Sequence, residues 1–157
     1  MIVLKGNEKC KIDGNGRCKF PASFKKQLGN LVDDGFVLKS SIHEKCLELW
    51  TSKAFEENLL KRTACLNDNN RFDRMLKRKL AEGNSVWLDN SERFIISPEQ
   101  KKHANLGESI VFLGVDERIE VWNEEELNNA DADILKMAAD KHNEEVDWSK
   151  LAEERLG

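Results

Sequence analysis

The sequence predicts an α+β fold in which one structural unit occurs twice. Three observations carry this expectation. Lys11-Ile12-Asp13-Gly14-Asn15-Gly16-Arg17 aligns with Trp87-Leu88-Asp89-Asn90-Ser91-Glu92-Arg93, so that an Asp-x-x-x-Arg loop recurs 76 residues on. Leu47-Glu48-Leu49-Trp50 recurs as Ile119-Glu120-Val121-Trp122 with an offset of 72, so the second copy is four residues shorter in between. Both segments alternate apolar with polar residues as a half-buried strand does, and each is followed by a helix-start signal.

Taken in order, each copy reads as strand, Asp-x-x-x-Arg loop, strand, short helix, strand, turn, strand and helix. In the second copy Ser97-Pro98-Glu99-Gln100 supplies a capping serine, a proline at the first helical position and the glutamine of a capping box. After Trp122, Asn123 is followed by Glu124, Glu125 and Glu126, three acids suited to the positive end of a helix dipole. Ser52 with Glu56 and Glu57 marks the counterpart after Trp50. Between the copies, Asn69 to Glu82 sets Phe72, Met75, Leu76 and Leu80 on one helical face and Arg71, Arg74, Arg78 and Lys79 mostly elsewhere. This basic helix is read as a solvated outer face over a packed inner one. Gly83-Asn84 ends it. Beyond Ala130, Ile134, Leu135, Ala138 and Ala139, then Trp148, Leu151 and Leu156, predict two weakly apolar helices with no counterpart after the first copy. Their narrow stripe suits packing on the same chain or on a neighbouring subunit equally.

The chain of 157 residues is long enough to bury a core. No apolar run approaches a membrane span of roughly 20 residues, and the start MIVLKGNEKCKIDG has no apolar stretch like that of a signal peptide, so a cytoplasmic location with no membrane partner is expected. Cys10, Cys18, Cys46 and Cys65 lack zinc-site spacing and disulfide-framework density, and are expected to be reduced and partly buried. The net charge of −4 conceals an uneven distribution. Residues 1–30 carry seven Lys or Arg against two acids, and residues 61–80 do the same, whereas residues 116–157 carry fourteen acids against five bases. One basic face for an anionic partner is therefore compatible with an acidic total.

The loop composition points to chemistry. In Asp13-Gly14-Asn15-Gly16-Arg17 the glycines Gly14 and Gly16 permit positive φ, while the leading carboxylate accepts backbone N–H groups further along the loop. Asp13 and Asp89 are accordingly read as loop-closing residues or ion-pair partners of the arginines. Arginine at the loop end presents a planar fork of donors matched to a phosphate or a guanine edge. Lys19, Lys25 and Lys26 lie near the first loop and are secondary candidates for phosphate contact, or a solvated surface. No catalytic residue, metal ligand or cofactor site is predicted. A nucleophile elbow, a phosphate-binding glycine loop and a zinc motif are all missing from the sequence, and His43, His103 and His142 lack metal-ligand spacing.

Asp13 to Arg17 followed by Phe20-Pro21, Asp89 to Arg93 followed by Ser97-Pro98, and the two closing strands ending in Trp50 and Trp122 resemble the MraZ proteins. These are bacterial transcription regulators built from two tandem AbrB-like swapped-hairpin units, and the resemblance spans about residues 3–130. It implies a small β-barrel core with flanking helices and a division into a first repeat (1–62), a basic inter-repeat helix (63–83), a second repeat (84–130) and an acidic helical tail (131–157). It also implies a ring-shaped homo-oligomer and a nucleoid-associated protein. Such a protein binds short repeated promoter DNA upstream of the division and cell-wall gene cluster and represses it. Arg17 and Arg93 would contact the DNA, with Asn15 and Lys19 beside them. The chain departs from the family pattern in having Asn15 where a lysine is usual and Glu92 where a glycine is usual. Both changes remove positive character. Asp89 and Glu92 beside Arg93 then make the second loop locally acidic, which favours Arg17 as the stronger contact, and the side chain at Glu92 predicts a different turn in the second loop. The alternative is an AbrB-like antitoxin or interaction protein whose acidic C-terminal tail binds a protein partner; the duplication speaks against it.

Overall fold

The computed structural model describes residues 2–140 and 147–156, and His142 lies outside them. Two compact units divide the chain, Met1–Glu124 and Glu125–Gly157. The first unit is mixed α+β with every strand pair antiparallel.

The first half opens with β1 (Asn7–Lys11), the Asp13 loop and β2 (Arg17–Lys19). A short helix α1 (Ala22–Leu28) follows, burying Phe24 and Leu28, and Gly29–Asp34 continues as a 3-10 turn. The hairpin β3 (Phe36–Ser40) and β4 (Leu47–Thr51) leads into α2 (Ser52–Thr63). The cap of α2 is Thr51, one residue before the expected Ser52: its hydroxyl accepts from the Ala54 N–H at 3.2 Å, while Ser52 donates to the Asp34 carbonyl. The linking helix α3 (Arg71–Ala81) starts where Asn70 accepts from the N–H groups of Phe72 and Asp73. Only the last turn of its apolar face is fully covered. Leu80 is buried, but Phe72 is 69% and Met75 44% exposed, so the packed inner face expected for this helix is half bare.

The second half repeats the order with β5 (Asn84–Val86), β6 (Arg93–Ile95), α4 (Pro98–His103), β7 (Ser109–Val115), β8 (Arg118–Asn123) and α5 (Glu124–Asp140). The capping box at Ser97 and Gln100 forms as expected. The C-terminal unit holds the remainder of α5, in which the helix expected after Trp122 and the stretch around Ile134 and Leu135 are one continuous element, and a further helix α6 (Trp148–Leu156).

The strands form one six-stranded sheet ordered β1-β7-β8-β4-β3-β5 and a separate ribbon, β2 with β6. Replacing every strand by its counterpart in the other half returns the same order reversed. The halves therefore interleave about a pseudo-twofold relation: each lends its first strand to the edge of the other's hairpin. Cys10 opposite Ile110 and Val86 opposite Phe36 are matching positions of the two edges, and Leu47 opposite Val121 mirrors Leu49 opposite Ile119 at the centre. Hydrogen bonds repeat as well, with the indole N–H of Trp50 donating to Glu48 at 3.1 Å and that of Trp122 to Glu120 at 2.9 Å.

No closed barrel forms among the described strands, contrary to the expectation. The β1–β2 ladder shrinks to one bridge, Ile12 opposite Cys18, because the chain reverses through the Asp13 loop and β2 then pairs with β6. Between sheet and ribbon lies a core containing Phe20, Phe24, Phe36, Phe94, Phe112, Leu38 and Ile96. Phe20 touches Phe36 and Phe94 with ring centroids 5.0 and 6.4 Å apart, and Phe94 meets Phe112 edge-on at 6.2 Å. Burial of each such ring contributes about 2–3 kcal/mol, so the ribbon is anchored to the sheet by aromatics from both halves. All four cysteines are free: Cys18 and Cys46 are buried, Cys10 is half-buried and Cys65 is exposed.

Candidate nucleic-acid interface

The two Asp-x-x-x-Arg loops have the same hydrogen-bond plan. In the first, the Asp13 carboxylate accepts from the N–H groups of Asn15 (2.8 Å) and Arg17 (2.9 Å), and the Asp13 carbonyl accepts from Gly16 N–H at 3.1 Å. In the second, Asp89 accepts from Ser91 (2.8 Å) and Arg93 (2.9 Å), and its carbonyl from Glu92 N–H at 2.9 Å. Gly16 has φ 81° and Glu92 φ 59°. The different turn expected for the second loop is therefore not found. Four hydrogen bonds centred on Asp89, including Asp89 N–H to the Arg93 carbonyl, hold Glu92 in the left-handed region despite its side chain.

The loops lock to each other. Phe20 N–H donates to the Glu92 carbonyl and Ile96 N–H to the Gly16 carbonyl, each at 2.8 Å. At Gly16 the approach is so close that a Cβ would stand 2.6 Å from the Ile96 carbonyl oxygen. Backbone N–H donation by Arg17 is the main reason the Asp13 carboxyl lies below its ordinary range, with the Arg17 and Arg93 guanidiniums adding smaller pulls. Asp89 is lowered in the same way, first by the Arg93 N–H and, among weaker causes, by both arginines. Each carboxylate thus senses the guanidiniums of both copies.

Between the loops, Arg17 faces Ile95, Cys18 faces Phe94 and Lys19 faces Arg93. Side chains alternate across a strand. Cys18 and Phe94 point into the core, while Arg17, Lys19 and Ile95 are exposed and Arg93 is half-buried. The outer face of the ribbon is therefore a compact set of three cations and one isoleucine drawn from both halves. Gly14 and Asn15 form the exposed tip of the first loop.

The two arginines differ in restraint. Arg93 Nε lies 3.7 Å from the Asp89 carboxylate and is buried without a hydrogen-bond partner. No ion pair holds Arg17 among the described residues. Glu92 does not leave the second loop with an open negative charge: it pairs with Lys25 of α1, which depresses the Glu92 carboxyl through a hydrogen bond and its charge. Lys25 is thereby engaged, and Lys26 and Lys19 remain exposed. Of the histidines outside this face, His43 stands 3.5 Å from Arg62 and His103 3.3 Å from the Glu44 carbonyl. Among the described residues, no three acidic, histidine or cysteine side chains are placed to hold a metal ion, and no helix is long and apolar enough to cross a membrane.

The ribbon pairing and the exposure of Ile95 were not read from the sequence. The signal available was the three-residue alternation Arg93-Phe94-Ile95, matching Arg17-Cys18-Lys19, which marks two short half-buried strands without naming their partner.

Residues 80–150 match the family model described as "MraZ protein, putative antitoxin-like". A protein named Transcriptional regulator MraZ from Christiangramia forsetii is 30% identical over 161 aligned residues, covering 100% of this chain and 95% of that protein. The protein of the same name from Flavobacterium psychrophilum is also 30% identical, covering 100% and 94%. That from Mycoplasmoides gallisepticum is 32% identical over 139 residues, covering 86% of this chain and 94% of its own. The likeness takes in both loops, the ribbon and both closing strands, and the chain belongs to the MraZ family.

Proposed function

We propose that this protein is a sequence-specific DNA-binding transcription regulator, acting as a repressor, and not an enzyme. The observation that carries this reading is the β2–β6 ribbon, whose outer face gathers Arg17, Lys19 and Arg93 from two interlocked loops. Arg17 and Arg93 are the contact residues, with Lys19 and Asn15 beside them, and Asp13, Gly14, Gly16 and Asp89 set the loop shape. The relatives' name, Transcriptional regulator MraZ, supports the same class.

The reversed strand order supports a construction from two tandem AbrB-like swapped-hairpin units, residues 1–62 and 84–130, joined by the basic helix segment 63–83 and followed by the acidic tail 131–157. A few phosphate contacts per chain give weak binding at cellular salt. Repetition of the ribbon around a homo-oligomeric ring on repeated promoter boxes multiplies affinity on the order of 10² to 10⁴. The protein then works in the cytoplasm at the nucleoid, and the family resemblance makes the division and cell-wall gene cluster its target. A second reading, a module binding a protein partner through its tail, draws on the exposure of Ile134, Met137, Trp148 and Leu156 in the C-terminal unit.

The test is binding of the purified protein to the DNA immediately upstream of its own gene and to a scrambled duplex of equal composition. Preference for the upstream DNA, lost in Arg17→Ala, is the expected result; equal affinity for the two duplexes overturns the regulator reading.

A further inference from the structure

Ile95 is out of place on a face meant only for phosphates. It is 56% exposed, sits at one end of the ribbon's outer surface and stands directly opposite Arg17, with Arg93 two residues before it on the same strand. An exposed β-branched side chain amid three cations adds nothing to charge attraction, and its neighbours Phe94 and Ile96 already fill the core.

We infer that the β2–β6 ribbon reads base edges in the major groove, with Ile95 packed on a thymine methyl group while Arg17 takes the neighbouring base pair. This rests on the DNA-binding reading above and deepens it by naming the groove and a specificity residue. Three features favour it. A two-stranded ribbon is one of the few elements that fits the major groove, roughly 12 Å wide. Cross-strand side chains start about 5 Å apart, and successive bases on one strand are about 3.4 Å apart, so Arg17 and Ile95 reach adjacent base pairs. Thymine is the only ordinary base that offers a methyl group in that groove, and the minor groove presents none. Lys19 and Arg93, opposite each other at the other end of the ribbon, are left for phosphate or a second base edge. The loops supply the rigidity that base readout demands: each backbone is held by its aspartate and by the opposite loop at 2.8 Å, so the ribbon enters the groove with its side chains already spaced.

The test uses the full chain and duplexes of its own upstream DNA synthesised either normally or with every thymine replaced by uracil, which lacks only the 5-methyl group. Wild-type protein is expected to bind the uracil duplex about fourfold more weakly for each thymine contacted, the ordinary worth of one buried methyl. Ile95→Ala is expected to bind the normal duplex as weakly as wild type binds the uracil duplex, and to treat the two alike. Its thermal midpoint and its mass in solution are expected to match wild type, because the side chain is exposed. Discrimination by wild type that persists in Ile95→Ala overturns the assignment, as does a wild type that ignores the methyl group. A changed mass for Ile95→Ala overturns it too, by making Ile95 a contact between subunits. Salt-dependent, sequence-selective binding without methyl discrimination leaves the regulator reading standing while this inference fails; absence of sequence-selective binding to either duplex removes both.

Discussion

Lys25 in the first half and Glu92 in the second form an ion pair between the copies, beside the β2–β6 ribbon. The acid that makes the second loop look repulsive in sequence is thus offset by a lysine that would otherwise face solvent. Releasing Lys25 should make it available to a DNA phosphate. Glu92→Gln is expected to raise DNA affinity and to steepen the log–log salt dependence by up to about 0.9, measured by titration at several salt concentrations.

Glu92 also carries backbone strain, since its φ of 59° is unfavourable for a residue with a Cβ. Glu92→Gly and Glu92→Ala both remove the ion pair, so their difference isolates the backbone. The glycine variant is expected to be more stable than the alanine variant by about 1–2 kcal/mol in urea unfolding. Equal stability would mean that the left-handed turn costs nothing here.

Gly14 and Gly16 occupy one loop but face different surroundings. No atom lies within 4 Å of a Cβ at Gly14, whereas at Gly16 it would strike the Ile96 carbonyl oxygen at 2.6 Å with φ already at 81°. Gly16→Ala is expected to destabilise the protein by about 2–4 kcal/mol, and Gly14→Ala to stay within about 0.5 kcal/mol of wild type. Thermal melts of the pair check both.

Asp13, Asp89 and Glu92 are all held below their ordinary carboxylate range, the first two chiefly by the N–H groups of Arg17 and Arg93, the third by Lys25. A depressed native-state value means that the folded protein binds fewer protons than the unfolded chain, so this contribution is present above the unfolded value and disappears as pH falls through the native one. Stability should therefore decline as pH drops below about 4. Asp13→Asn keeps an acceptor oxygen for the loop but cannot titrate, and its denaturation midpoint is expected to fall less steeply over that acid range than that of wild type.

Local features were the ones legible in the sequence. The capping box at Ser97 and Gln100 and the loop-closing role of Asp13 depend on residues a few positions apart, and they appear as expected. The duplication was equally readable, because Asp13 to Arg17 and Asp89 to Arg93 keep the same chemistry. Partnership was not. Nothing local says that Arg17 will face Ile95 across a ribbon made from both halves, or that β1 will leave its own hairpin for β7. The error at Glu92 arose from reading that residue alone, which argues for another turn, whereas the hydrogen bonds of Asp89 within the loop and the Phe20 N–H from the first half hold it in the geometry of the first loop. On α3 the periodicity found the apolar face but could not show that Phe72 and Met75 stay uncovered.

The most direct measurement of a single DNA face built from two unequal arginines is the salt dependence of DNA affinity for wild type, Arg17→Ala, Arg93→Ala and the double variant. Arg17→Ala should weaken binding more than Arg93→Ala, since Asp89 restrains only the latter's side chain. The slope should become shallower by about 0.9 for every phosphate the variant no longer neutralises, and the double variant should bind more weakly than either single one. Affinity and slope unchanged by all three variants would contradict a DNA face on the ribbon.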